Sequence, residues 1–130
     1  MNSMAKYVID AWAWMEYLDG SELGKKASRI IEGEDVVTSP VTVTEVTSRV
    51  SRKGKDPEIA FNSIVSLSKV VQITPEFAKE TGLRHSKIKK RIPNFSIGDA
   101  FVLQTAKSIG ARILTGDPDF KGIKEAEMLD

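Results

Sequence analysis

Four carboxylates in this chain stand where a strand-like or turn-like run hands over to the next element: Asp10, Glu45, Asp99 and Asp117. Asp10 closes the run Tyr7-Val8-Ile9, and Asp117 closes Arg112-Ile113-Leu114-Thr115-Gly116. Asp99 falls in the first turn of an expected helix, and Glu45 lies inside another that begins after Pro40. In an open α/β sheet the carboxyl ends of the strands converge on one crevice, which is where ligands bind. Carboxylates gathered there repel one another by about 4 kcal/mol per pair at about 4 Å and an effective dielectric near 20. A cation removes that repulsion. Hard oxygen donors without His or Cys point to Mg²⁺ or Mn²⁺.

The elements that must position these acids alternate along the chain. Residues 5–10 read as a buried strand, followed by a helix over 11–18 that Asp19-Gly20 stops. Ser21 can cap a second helix with Leu23, Ala27, Ile30 and Ile31 on its inner face, ended by Gly33. Residues 35–39 form the next expected strand, and Pro40 then opens a helix whose missing N–H is no loss. That helix turns Val43, Val46 and Val50 inward, and Glu45 falls near the edge of this apolar stripe. Asp56-Pro57 and Thr74-Pro75 each start a further helix, with a strand over 70–73 between them. The second of these helices is expected to run to about Arg91. Ser96 can cap a helix that Gly110 ends, residues 112–115 form a strand, and 126–129 a short final one. Strands separated by helices require crossovers. The expectation is one α/β domain over 1–130: a three-layer α/β/α sandwich around a mainly parallel sheet of four to five strands.

Composition narrows the chemistry. The 130 residues are 41% hydrophobic and 28% charged, as in an ordinary globular protein. The absence of cysteine excludes disulfides, thiolate metal sites and cysteine nucleophiles. His85 is the lone histidine, too few for a zinc site, and no G-x-S-x-G elbow accompanies it. No apolar stretch approaches the length of a membrane span, and the N-terminus lacks a signal-peptide layout, so a cytoplasmic protein is expected. The net charge is only +1, yet Arg49, Arg52, Lys53 and Lys55 form one basic run, and residues 84–91 another. These runs are either solvated helix faces or a surface for phosphate.

Each acid alone has an ordinary explanation. Asp10 can cap the helix from 11, Asp117 and Asp119 can form a turn beside Gly116 and Pro118, and Asp99 can favour a helix N-terminus. Their occurrence together, at matching ends of the sheet, favours a shared site.

Four segments carry a resemblance: Val8-Ile9-Asp10, Ser39 to Val46, Ser96-Ile97-Gly98-Asp99-Ala100, and Leu114 to Phe120. In order and spacing they resemble the signature blocks of PIN domains, most of all the small VapC-like type, the toxin half of prokaryotic toxin–antitoxin pairs. The resemblance covers essentially the whole chain. It implies a Mg²⁺- or Mn²⁺-dependent endoribonuclease with Asp10, Glu45, Asp99 and Asp117 as an acidic quartet that is both metal site and catalytic centre. Thr115 is then the small hydroxyl residue before the last acid, and Asp119 an accessory acid. Cations bound there can activate water and neutralise phosphate oxygens, which is what phosphodiester hydrolysis needs. Thr115 and Ser96 are candidates to fix carboxylate rotamers, or are plain turn and cap hydroxyls. Arg49, Arg52, Lys87 and Arg91 are candidates to contact RNA.

The chain departs from the family pattern at Trp12, where many relatives carry Ser or Thr. The resemblance also implies a homodimer and a small VapB-like antitoxin whose tail enters the acidic cleft. Trp12, Trp14, Tyr17 and Leu18 are candidates to line its groove, although aromatic residues on an early helix commonly belong to the core. Two other roles fit the same fold: RNA processing outside a toxin–antitoxin pair, and a non-catalytic binding module. A phosphoacceptor receiver domain does not, because the middle strand ends in Ile73-Thr74-Pro75 rather than in Asp.

Overall fold

A computed structural model describes residues 5–130. Val8 and Ile9 are β-branched and fully buried, and they form the centre of strand β1, Tyr7–Ile9. Four further strands join it: β2, Val36–Thr38; β3, Lys69–Val70; β4, Arg112–Thr115; and β5, Ala126–Met128. The order across the sheet is β3-β2-β1-β4-β5, and every pairing is parallel. Val8 stands opposite Val37 on one side and Ile113 on the other, while Ile9 pairs with Leu114.

Alternation along the strands divides the core into two layers. Ile9 and Leu114 point to one face, where they meet Trp14, Ile31, Val46, Val50 and Ile64. Val8, Val37 and Ile113 point to the other, against Phe95, Val102, Leu103 and Phe120. Each such side chain, fully buried, contributes about 1.5–3 kcal/mol. The first face is covered by helices α1, Ala11–Asp19; α2, Glu22–Gly33; α3, Pro40–Arg52; and α4, Pro57–Leu67. The second is covered by α5, Pro75–Ile88, and α6, Ile97–Ile109. The expected α/β/α layering and parallel sheet are therefore the observed ones.

Local signals act where the sequence places them. Ser21, Ser39, Asp56, Thr74 and Ser96 each accept a backbone N–H in the first turn of the helix they precede. Gly20 and Gly110 close α1 and α6 in the left-handed region, at φ 67° and 69°.

Two boundaries fall three residues short of expectation. The third strand covers Lys69–Val70 rather than 70–73. Its neighbour β2 ends at Thr38, whose carbonyl accepts from Val71 N–H, and Ser39 already caps α3, so Gln72 and Ile73 have no ladder to join. Helix α5 ends at Ile88, not near Arg91. Pro93 disfavours helical backbone at Ile92, and the chain leaves through tight turns, with Arg91 N–H bonded to Ile88 O.

Candidate active site

β1 lies at the centre of the sheet, and the chain leaves it towards β2 on one side while β4 joins on the other. A crevice opens at such a switch point, at the carboxyl ends of the strands. Asp10 follows β1 directly, and Thr115 ends β4 beside it. Asp10 occupies the N-cap position of α1 yet makes no side-chain capping bond. Its Oδ2 instead accepts from the Thr115 hydroxyl at 2.8 Å. The same hydroxyl accepts from Asp117 N–H at 3.0 Å, so one buried Thr side chain ties Asp10 to the loop after β4. That loop makes a single 3₁₀ turn, Pro118–Phe120, and Asp119 N–H donates to Asp117 Oδ1 at 2.9 Å.

The opposite wall comes from α6 and α3. Ser96 and Asp99 form a reciprocal capping box, with Ser96 N–H donating to Asp99 Oδ2 at 2.9 Å. Ser96 thus does cap α6 and in doing so fixes the Asp99 rotamer. Glu45 reaches across from α3 because the adjoining residue of α6 is Gly98. A Cβ at that position would fall 2.4 Å from Glu45 Oε2. Gly116 plays the matching part at the other side: a Cβ there would meet the Trp12 ring at 2.4 Å. Trp12 therefore stands over the strand end and walls the cleft.

The result is a cleft of ≈ 280 Å³ lined by Asp10, Trp12, Glu45, Arg49, Asn94, Ser96, Asp99, Asp117 and Asp119, with Ala11. Burial pushes the Asp10 carboxyl up to about 7, against the Thr115 hydrogen bond and with help from Asp99 and Glu45. Glu45 is also raised, by burial first and then by Asp99, with Arg49 opposing. Burial raises Asp99 as well, and Asp117 adds to it while the Ser96 hydrogen bond holds it down. Carboxylates that discourage one another's ionisation in this way suit a cation. Asp99, Asp117 and Asp119 fit one best, each offering an oxygen within 4.8 Å of the others. An all-oxygen donor set of this kind suits a hard divalent ion.

All four acids of the expected quartet line this one cleft, and so does Asp119. The 3₁₀ turn sets Asp119 beside Asp99 and Asp117, while Asp10 and Glu45 lie outside that closest trio. Of the basic candidates only Arg49 lines the cleft. Lys87 and Arg91 lie on the α5 flank, and Arg52 is exposed in the last turn of α3. Trp14 lines no groove. It is wholly buried, and its Nε1–H donates to Thr38 Oγ1 at 3.1 Å, because its position on α1 faces the sheet rather than solvent. Sequence reading missed Gly98 and Asn94. A glycine in the first turn of a helix beside an acid was the available signal for a close approach.

The family model described as PIN domain matches residues 7–126. This chain belongs to the PIN domain family. No curated protein matches its sequence. Among solved structures, this PIN domain is similar to VapC20 of Mycobacterium tuberculosis, described as a Sarcin-Ricin loop cleaving toxin, with 16% identity and a TM-score of 0.76. That match covers 96% of this chain and 100% of the other. A toxin–antitoxin complex from Klebsiella pneumoniae matches at 17% identity and TM-score 0.75, covering 96% and 98% of the two chains. DNA-bound VapBC from Salmonella typhimurium matches at 17% and 0.73, covering 98% and 100%. At these identities the likeness is one of fold.

Proposed function

We propose that this PIN domain is a divalent-metal-dependent endoribonuclease and the toxin of a VapBC-type pair. The observation that carries the reading is the convergence of Asp10, Glu45, Asp99, Asp117 and Asp119 on one cleft, three of them close enough to share an ion. Asp99, Asp117 and Asp119 would hold the cation, with Asp10 behind them. When bound, a Mg²⁺ or Mn²⁺ ion lowers the pKa of water and neutralises charge on the phosphate oxygens. Glu45, half-buried and raised by burial first and then by Asp99, would take the proton of the attacking water as the water oxygen bonds to phosphorus, while the P–O bond to the leaving ribose oxygen breaks and that oxygen is protonated from solvent. Thr115 holds Asp10 in place, and Ser96 holds Asp99. Trp12 and Asn94 shape the mouth through which a single-stranded segment enters, and Arg49 faces its phosphate.

The toxin role draws on the resemblance to VapC-like proteins and on an apolar hollow between α1 and α4. The hollow is ≈ 200 Å³ and is lined by Met15, Leu18, Val50, Ile59 and Ala60 among others, while α4 also exposes Phe61 and Val65. A short apolar segment of an antitoxin suits that surface. An antitoxin Arg reaching the carboxylates would replace the cation by a charge-assisted contact. A homodimer and a cytoplasmic setting belong to the same reading. Among the described residues no helix is long and apolar enough to cross a membrane.

The test is cleavage of a structured RNA pool with Mg²⁺, with Mn²⁺ and with EDTA, by wild type and by Asp99→Asn. Metal-dependent cutting that falls by about 10³-fold in the variant is expected. A folded, partner-free wild type that cuts nothing in either metal would sink the nuclease reading in favour of a binding module.

A further inference from the structure

The acidic cleft poses a problem for any RNA that enters it. Five carboxylates and one arginine line it, so beyond the reach of a bound cation its field repels phosphate. The strand has to be gripped elsewhere. A second groove, ≈ 230 Å³, lies where α5, α6 and the segment before β5 meet. Its charged lining is Arg84, Arg91, Lys107 and Lys124 against one carboxylate, Glu125. Lys107 takes up that carboxylate at 2.7 Å and holds its pKa down. Arg84 and Arg91 make no ion pair among the described residues, and Lys124 makes none within 4 Å, although its charge also helps to hold Glu125 down. Arg84 is already positioned, its Nε–H donating to Gln104 Oε1 at 2.6 Å. A guanidinium held in this way loses less freedom on meeting a phosphate.

The groove adjoins the cleft through two short segments. Asn94 lines the cleft while Arg91, three residues earlier in the same connection, lines the groove. Asp119 lines the cleft while Gly122 to Lys124 line the groove. Phe95 and Phe120 pack edge to face at 5.4 Å and clamp these segments together. α6 spans both regions, with Asp99 near one end and Lys107 near the other, about 12 Å apart along the helix axis.

The geometry points to a backbone-binding track: the groove of Arg84, Arg91 and Lys124 takes the phosphodiester backbone of the RNA strand on one side of the scissile bond. The inference rests on the ribonuclease reading and extends it from the cut to the grip. Contacts of this kind read charge and carry no base specificity.

The experiment measures binding of a labelled single-stranded oligouridylate by fluorescence anisotropy, in EDTA so that nothing is cut, across a salt series. Arg91→Gln combined with Lys124→Gln changes two exposed side chains and leaves the fold intact. Binding by this double variant should weaken about 10-fold, and the slope of log K against log salt should drop by about 1.4, or about 0.7 per lost phosphate contact. Lys25→Gln with Arg29→Gln removes the same charge from α2 and should change neither. With Mn²⁺ and the RNA pool, the groove variant should raise KM and leave kcat near wild type. Equal affinity and slope in wild type and groove variant, with RNA still cut, would overturn the groove and leave the nuclease standing. RNA neither bound nor cut by wild type would overturn both.

Discussion

The acidic cleft and the basic groove share two chain segments, yet they are built on opposite terms. In the cleft, like charges are forced together on buried or half-buried side chains, and hydrogen bonds from Thr115, Ser96 and backbone N–H groups fix them. In the groove, charges of the other sign sit on mostly exposed long side chains, of which Arg84 is pinned by Gln104. Chemistry at a phosphorus atom depends on position to fractions of an ångström, so its groups must be held even at a cost in stability. Gripping a backbone depends chiefly on charge, and mobile side chains supply it. Substitutions should therefore act steeply in the cleft and gradually in the groove.

Gly98→Ala breaks the comparison most sharply. The new methyl group would collide with the Glu45 carboxylate, the end of a flexible side chain that can swing away. Stability should stay near wild type, since Ala is the better helix residue by about 1 kcal/mol. Cleavage should fall by about 10²-fold, the scale for a lost acid–base group, while RNA binding in EDTA is unchanged. Loss of binding together with cutting would mean that the two regions are not separable.

Asp10→Asn should separate stability from activity. The Asp10 carboxyl stands at about 7 in the fold against 3.8 in the unfolded chain. Its contribution is thus fully present below the unfolded value and is lost as pH rises through about 7. Without metal, the wild type should lose stability as pH rises from about 4 to about 7, and the neutral variant should escape that part of the loss. Near pH 8 the variant should melt roughly 3–5 °C higher, the equivalent of about 1 kcal/mol, while its cleavage is abolished. A lower melting temperature for the variant at that pH would show that Asp10 is held ionised in the apo fold.

Much of this was legible in the chain. Caps followed by proline at Ser39, Asp56 and Thr74 marked helix starts because each supplies a bond or removes a donor at a fixed place. The quartet was legible because parallel strands must bring their carboxyl ends together, and all four acids do line one cleft. What escaped depends on turns and on contacts between distant segments. Asp119 is expected as an accessory acid, but its place in the closest trio with Asp99 and Asp117 comes only through the 3₁₀ turn at Pro118. Trp12 and Trp14 look alike on one helix, but one walls the cleft and the other is core. The groove combines Arg84 with Lys124, and no local pattern relates positions so far apart.

The central claim is that the cleft works by holding a divalent cation on Asp99, Asp117 and Asp119. Calorimetric titration of Mn²⁺ into metal-free wild type and Asp99→Asn, at a pH above 7, tests it most directly. Saturable binding by the wild type that is lost or weakened by at least about 10-fold in the variant is the predicted result. Equal binding by the two proteins, or no binding by a folded wild type, would contradict it.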